Sequence, residues 1–362
     1  SQEWGRETFA FAIALQNLIW GISQPFAGML SDRFGAKPIL VVGAMLYGSG
    51  LWIMSSFSGE YLFTIGAGVL VGLGLSGTTF PVIFGAISRL VRPAQRSLAM
   101  GITMSVASFG QFAMLPIALG FLTGLDWQSG LIFFSLLVLA IIPLSVGIKS
   151  ESVAQSRDPE KATFRQSLRD ACATRDFWLL SLGFFTCGFQ VVFIAVHLPA
   201  FLSDEGLGSG ISSSVLALIG LVNIAGTYLA GLWGGIYRKP MILTIIYLSR
   251  AVIISVFVLS PITQTSAYIF GALMGLLWLS TIPLTNGTVA SIWGVRHMSM
   301  LGGVVFLAHQ LGSFVGGWIG GWLYDYTGNY SSAWSVAIIL SILAAMFNWP
   351  ITERAFSERS ST

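Results

Sequence analysis

Eleven apolar runs, each long enough to cross a bilayer, constrain this chain more than any other feature. They lie at 9–30, 39–57, 61–88, 98–121, 130–148, 178–202, 211–236, 240–260, 267–293, 298–322 and 330–350. A crossing helix needs roughly 20 apolar residues. Backbone groups in hydrocarbon must be satisfied within the segment, so runs of this length predict helices. The composition agrees: only 9% of residues are charged and 54% are hydrophobic, with a mean hydropathy of +0.79. A soluble domain carries about a quarter charged residues. The expected fold class is therefore an all-α, multi-pass membrane protein whose medium is the lipid bilayer.

The same reading excludes several functions. A net charge of +3 is no nucleic-acid footprint. Cys172 and Cys187 stand far apart and suggest neither a disulfide nor a metal site. No HExxH, GxSxG, phosphate-binding loop or CxxC is present, so neither an enzyme nor a cofactor is expected. The glycine runs at Gly66–Gly68 and Gly72–Gly74 fall inside an apolar run and read as packing devices.

The loops assign the sides. Basic residues alternate by loop: Arg33 and Lys37, then Arg89, Arg92 and Arg96, then six in the gap 149–177. Arg238 and Lys239, Arg296, and Arg354 and Arg359 continue the same side, 16 of the 18 in all. The opposite side has only Arg6, and Arg250 lies inside a run. The positive-inside rule then puts the C-terminus in the cytoplasm and residue 1 outside. The gap 149–177 is the one candidate linker, dividing the chain into 1–148 and 178–362, and Phe164–Cys172 in it suits a short amphipathic helix.

One polar connection is chemically distinctive. Gly28–Leu40 reads GMLSDRFGAKPIL. Gly28 permits close helix approach, Asp32 suits a helix N-terminus, Gly35 suits a positive φ, and Arg33 and Lys37 mark the basic side. The chain also repeats. Gly28 and Gly231 open similar loops 203 residues apart. At an offset of 202, Lys37–Pro38 matches Lys239–Pro240, Pro81 matches Pro283, Gly101 matches Gly303, and Gly110 matches Gly312. The loop resembles the signature loop of the major facilitator superfamily, G-x-L-x-D-[RK]-x-G-[RK]-[RK]-x-x-L, with Ala36 at a usually basic position. The resemblance implies two six-helix repeats. Because 178–202 opens the second repeat, its partner would precede Ser1, so eleven helices are expected, lacking the first.

Looser features resemble the monocarboxylate and oxalate–formate group: Ser108–Gln111 with Pro116, Gly124–Trp127, His309–Gly312 and Tyr324–Gly328. That group usually carries an arginine in its eighth helix; here 211–236 has none. The resemblance implies a monomeric plasma-membrane transporter of a small solute, foremost a small organic anion, by symport with a proton or exchange for a counter-anion. An exporter of amphipathic or drug-like molecules, and a membrane protein that does not transport, remain open.

Polar groups at mid-membrane depth are costly and often functional. Arg250 has no acid deep in any run to pair with, so it suits either a substrate carboxylate or backbone carbonyls. His309 shares a helix face with Gly312, Gly316 and Gly320 and suits either a proton carrier or a buried neutral imidazole. His197, near a helix end, is expected to face water, and His297 lies in a loop with no assigned role. Gln111, Gln190, Asn223, Thr281, Thr285, Asn286 and Gln310 suggest a polar cavity. In the resembled family the first, fourth, seventh and tenth helices line it, which adds Thr78, Thr79 and Trp278. Pro81 and Pro283 are expected to interrupt equivalent helices, a pointer to a transport site.

Overall fold

The computed structural model describes residues 6–57, 59–148 and 163–356. Residue 1, Lys149, Arg157, Lys161 and Arg359, and with them residues 149–162 of the expected linker, lie outside the described residues. Among the described residues, sixteen α-helices follow in order. They are α1 (Arg6–Phe34), α2 (Ala36–Ser56), α3 (Glu60–Thr64), α4 (Val71–Thr78), α5 (Phe80–Leu90) and α6 (Arg96–Gly124). Then come α7 (Trp127–Leu139), α8 (Ile141–Ser145), α9 (Phe164–Cys172), α10 (Arg175–Asp204) and α11 (Ser209–Gly234). The last are α12 (Lys239–Leu259), α13 (Gln264–Leu277), α14 (Thr281–Trp293), α15 (Met298–Thr327) and α16 (Ser331–Asn348). Among the described residues there is no strand.

Among the described residues, ten helical segments are long and apolar enough to cross a membrane. They correspond to ten of the eleven expected runs. The remaining run, 9–30, lies in α1, which has 29 residues but a lower apolar content, because Gln16, Asn17, Ser23 and Gln24 interrupt it. Two spans are composite. Residues 60–90 pass through α3, a π-helical turn at Ile65–Leu70, α4 and α5. Residues 264–293 comprise α13 and α14. Both breaks precede a proline: Thr79 is extended (φ −111°, ψ −170°) two residues before Pro81, and 278–280 separate α13 from α14 just before Pro283.

The described chain forms two compact units, each drawing on both halves of the sequence. The first takes residues 1–90, 114–171 and 294–310; the second takes 91–113, 172–293 and 311–362. In the first, α2 packs along α4 and α7, and α1 along α4. In the second, α12 packs on α16 and α11 on α13 around an aromatic core that includes Phe193, Phe257, Phe270 and Trp334. Phe257 and Phe270 stack at 4.1 Å, and Trp334 meets both edge-on.

The internal repeat is visible inside each unit. In the first, a methyl group at Gly28 would strike the Ser299 carbonyl. In the second, one at Gly231 would lie 2.8 Å from the Ser97 carbonyl. Ser97 and Ser299 are themselves 202 residues apart. The same glycine-mediated helix approach is thus built twice, as close packing between spans requires.

Candidate functional site

The signature loop is seated by a carboxylate. Asp32 is fully buried and accepts from Arg89 Nη1 (2.7 Å), the Met300 amide (2.9 Å) and the Ser299 amide (3.3 Å). Those amides open α15, whose first-turn N–H groups have no partner within the helix. The carboxylate supplies both a cap and a charge suited to the helix dipole. Burial pushes the Asp32 carboxyl above its ordinary range, against the pull of Arg89 and of the Met300 amide. Gly35 takes φ 88°, the left-handed region that lets the chain turn from α1 into α2. Arg33 is exposed and lies over its neighbour Phe34 (5.1 Å); Lys37 is half-buried in the first turn of α2.

The first unit also holds a polar cluster at the Thr79 break. Trp20 Nε1 donates to Gln24 Oε1 (2.9 Å) and to Thr79 Oγ1 (3.1 Å). Gln24, fully buried, donates through Nε2 to the Ser76 carbonyl (2.9 Å), beside the break. From α15, Gln310 Nε2 reaches Asn17 Oδ1 (3.3 Å), and Gln310 Oε1 lies 3.2 Å from His309 Nδ1. Phe306 bridges the two sides, stacking on His309 at 5.2 Å and meeting Trp20 at 5.0 Å. The cluster therefore presents an indole N–H, a hydroxyl, amides and an imidazole. It contains no carboxylate; among the described residues, Asp32 is the only buried acid.

In the second unit, polar residues gather at the equivalent break. Pro283 has no N–H to give the Leu279 carbonyl. Ile282 N serves it instead (3.0 Å), so the Trp278 carbonyl loses that amide. Arg250 takes its place: Nη2 donates to the carbonyls of Trp278 (2.5 Å) and Leu277 (2.6 Å), and Nη1 to Gln190 Oε1 (3.1 Å). Gln190 Nε2 continues to the Ala337 carbonyl (3.1 Å) and to Ser341 Oγ. Asn223 holds the other side, accepting from Leu279 N (2.9 Å) and donating to Ser108 (2.8 Å). Thr281 lies 3.0 Å from the Cys187 sulfur. Arg250 is fully buried, and its guanidinium donates to two backbone carbonyls and to the Gln190 side chain. The two breaks are repeat equivalents: Thr79 and Thr281 are 202 residues apart, Trp20 and Asn223 203.

The expected site residues thus separate. Thr79, His309 and Gln310 meet in the first unit; Gln190, Asn223, Arg250, Trp278 and Thr281 meet in the second. Thr78 bonds back to Gly74 (2.9 Å) with its methyl toward Gly43 on α2, away from the cluster. Gln111 is exposed. His197 does not face water: it is buried, with Nε2 3.0 Å from the Gly317 carbonyl and Tyr330 beside it. The glycine-rich face of α15 admits the ring there. His297 is also more than a loop residue. It is buried under α9, 2.6 Å from Ser167 Oγ and against Phe164. Burial, Arg296 and Arg89 lower its pKa to about 4. Sequence reasoning missed Asn17, Trp20 and Gln24, although their spacing of three and four residues puts them along one helix face.

Broken spans with buried polar groups at equivalent positions of a repeat define a class: membrane transporters built from repeats. The comparisons place the chain within it. Residues 1–317 match the Major Facilitator Superfamily, and the chain belongs to that family of transporters. It is 26% identical over 316 residues to the uncharacterised transporter YcxA of Bacillus subtilis, covering 85% of this chain and 77% of that one. It is 26% identical over 321 residues to human monocarboxylate transporter 11, covering 84% and 66%. Its fold is similar to that of the fucose:proton symporter FucP of Escherichia coli, with a TM-score of 0.74, 15% identity and coverage of 95% and 91%.

Proposed function

We propose that this transporter carries a small organic anion, bound in the polar cluster of Trp20, Asn17, Thr79, His309 and Gln310. The observation that carries the reading is the chemistry of that cluster, which offers several donors and no carboxylate. A half-buried site of hydrogen-bond donors without a negative charge accommodates an anion or a neutral polar solute and disfavours a cation. The similarity to a monocarboxylate transporter supports the first of these. Transport proceeds by alternating access, with a proton or a counter-anion as the coupled species. The helix breaks at Thr79 and 278–280 supply the bending points. Arg250 holds the second break rather than the substrate. The basic loops containing Arg33, Arg92, Arg165, Arg238 and Arg296 face the cytoplasm.

Uptake into liposomes tests this reading. Monocarboxylates should be accumulated or exchanged, while organic cations of equal size should not. Cation uptake with no carboxylate uptake would overturn it. Impermeant thiol labelling of single cysteines at 33, 92 and 238 should succeed only from the cytoplasmic side.

A further inference from the structure

An apolar recess of about 450 Å³ lies on the second unit between α11, α12 and α13. Small residues form its floor, including Gly226 and Ala230, while Trp233, Tyr237, Met241 and Ile245 form its rim. These four rim residues are 45%, 63%, 40% and 52% exposed, so the recess is open to the surroundings of the helices. All three helices belong to membrane spans, so those surroundings are hydrocarbon. A dry apolar recess open to hydrocarbon is filled by hydrocarbon.

Charge at one end selects which lipid. Trp233 stands in the last turn of α11 and Tyr237 in the connection to α12, where aromatic residues occupy the headgroup level. Arg238 and Lys239 follow directly. Lys239 is matched by Glu353 (2.6 Å). Arg238 is exposed, donates to the Ile351 carbonyl (3.0 Å), and is paired with no carboxylate among the described residues. A guanidinium in this position suits a phosphate. Along α12 the lining runs from Met241 to Ser249, eight residue steps. That is about 12 Å of helix, within the roughly 15 Å of hydrocarbon that one leaflet contributes.

We propose that this recess binds one acyl chain of an anionic phospholipid from the leaflet on the Arg238 side, with the phosphate on Arg238. The recess shares Leu277 and Ser280 with the second helix break, shares no lining residue with the Thr79 cluster, and does not depend on the substrate assigned above.

The test uses the full chain in nanodiscs containing phosphatidylglycerol or phosphatidylcholine with brominated acyl chains. Trp233 emission is isolated as the difference between the native protein and Trp233→Phe. One basic charge near an anionic headgroup predicts quenching by phosphatidylglycerol at about fivefold lower mole fraction than by phosphatidylcholine. Arg238→Gln should abolish that preference while leaving quenching itself. Equal quenching by the two lipids in the native protein, or a preference unchanged in Arg238→Gln, overturns the proposal. If Arg238→Gln does not fold, the comparison of the two lipids without that substitution still decides.

Discussion

Replacing Arg250 with glutamine separates two roles that an intramembrane arginine can have. The guanidinium satisfies three buried acceptors: the carbonyls of Leu277 and Trp278 and Gln190 Oε1. Leaving a buried acceptor unsatisfied costs about 1–3 kcal/mol each. Set against this, the variant no longer buries a charge, a term of several kcal/mol per ion. Glutamine also recovers one donor contact. With one contact recovered, two acceptors left unserved cost about 2–6 kcal/mol between them, and relief of the buried charge returns part of that, so the expected net loss is about 1–3 kcal/mol of stability. Unfolding in mixed micelles, followed by far-UV circular dichroism, measures the loss. Titration of the folded fraction with a monocarboxylate measures binding. The account predicts a clear loss of stability and a dissociation constant within about twofold of native, since a 1.4 kcal/mol change would be tenfold. A variant that keeps native stability but loses carboxylate binding by tenfold or more would return Arg250 to the substrate site.

Three further predictions follow from the first unit. Asp32→Ala should cost about 3–5 kcal/mol, because it strands Arg89 and two amides of α15; combined with Arg89→Gln, the losses should fall well short of additive, and additivity in the same unfolding assay would deny the coupling. Stability should decline as pH falls from 6.5 toward 4, because the unfolded chain protonates His297 before the folded one does, whose pKa is about 4. His297→Asn should flatten that part of the pH profile, and an unchanged slope counts against a buried neutral ring. Gly28→Ala places a methyl group on the Ser299 carbonyl, and overpacking of this kind should cost about 1–3 kcal/mol; a neutral effect on the melting curve would show that α1 and α15 approach less closely.

The spans were legible because bilayer thickness imposes a length that sequence displays directly. The repeat was legible because Pro81 and Pro283, Gly101 and Gly303, recur at one offset. Partners distant in sequence were not. Asp32 suggested a helix N-terminus, but nothing local identified the amides of Ser299 and Met300, 267 and 268 residues away. Arg250 read as an ion without a counter-ion, and only the tertiary placement of the break after α13 supplies the carbonyls that hold it. The cluster at Thr79 was half visible. Thr79, His309 and Gln310 stood out as polar residues in apolar runs. Trp20 and Gln24 lie in a run read for its length rather than for its polar face. His197 was misjudged because its position near a helix end said nothing of the glycine face of α15 packed against it.

Calorimetric titration of a small monocarboxylate into the native protein, Thr79→Val and Gln310→Leu asks whether the Thr79 cluster holds the substrate. Each substitution removes hydrogen-bonding capacity from the cluster. A bond to a charged partner contributes about 1.5–3 kcal/mol, so each variant should bind roughly tenfold or more weakly than the native protein. Arg250→Gln, measured beside them, should bind as the native protein does. Absence of carboxylate binding to the native chain, or binding that both cluster variants leave intact, would contradict the account.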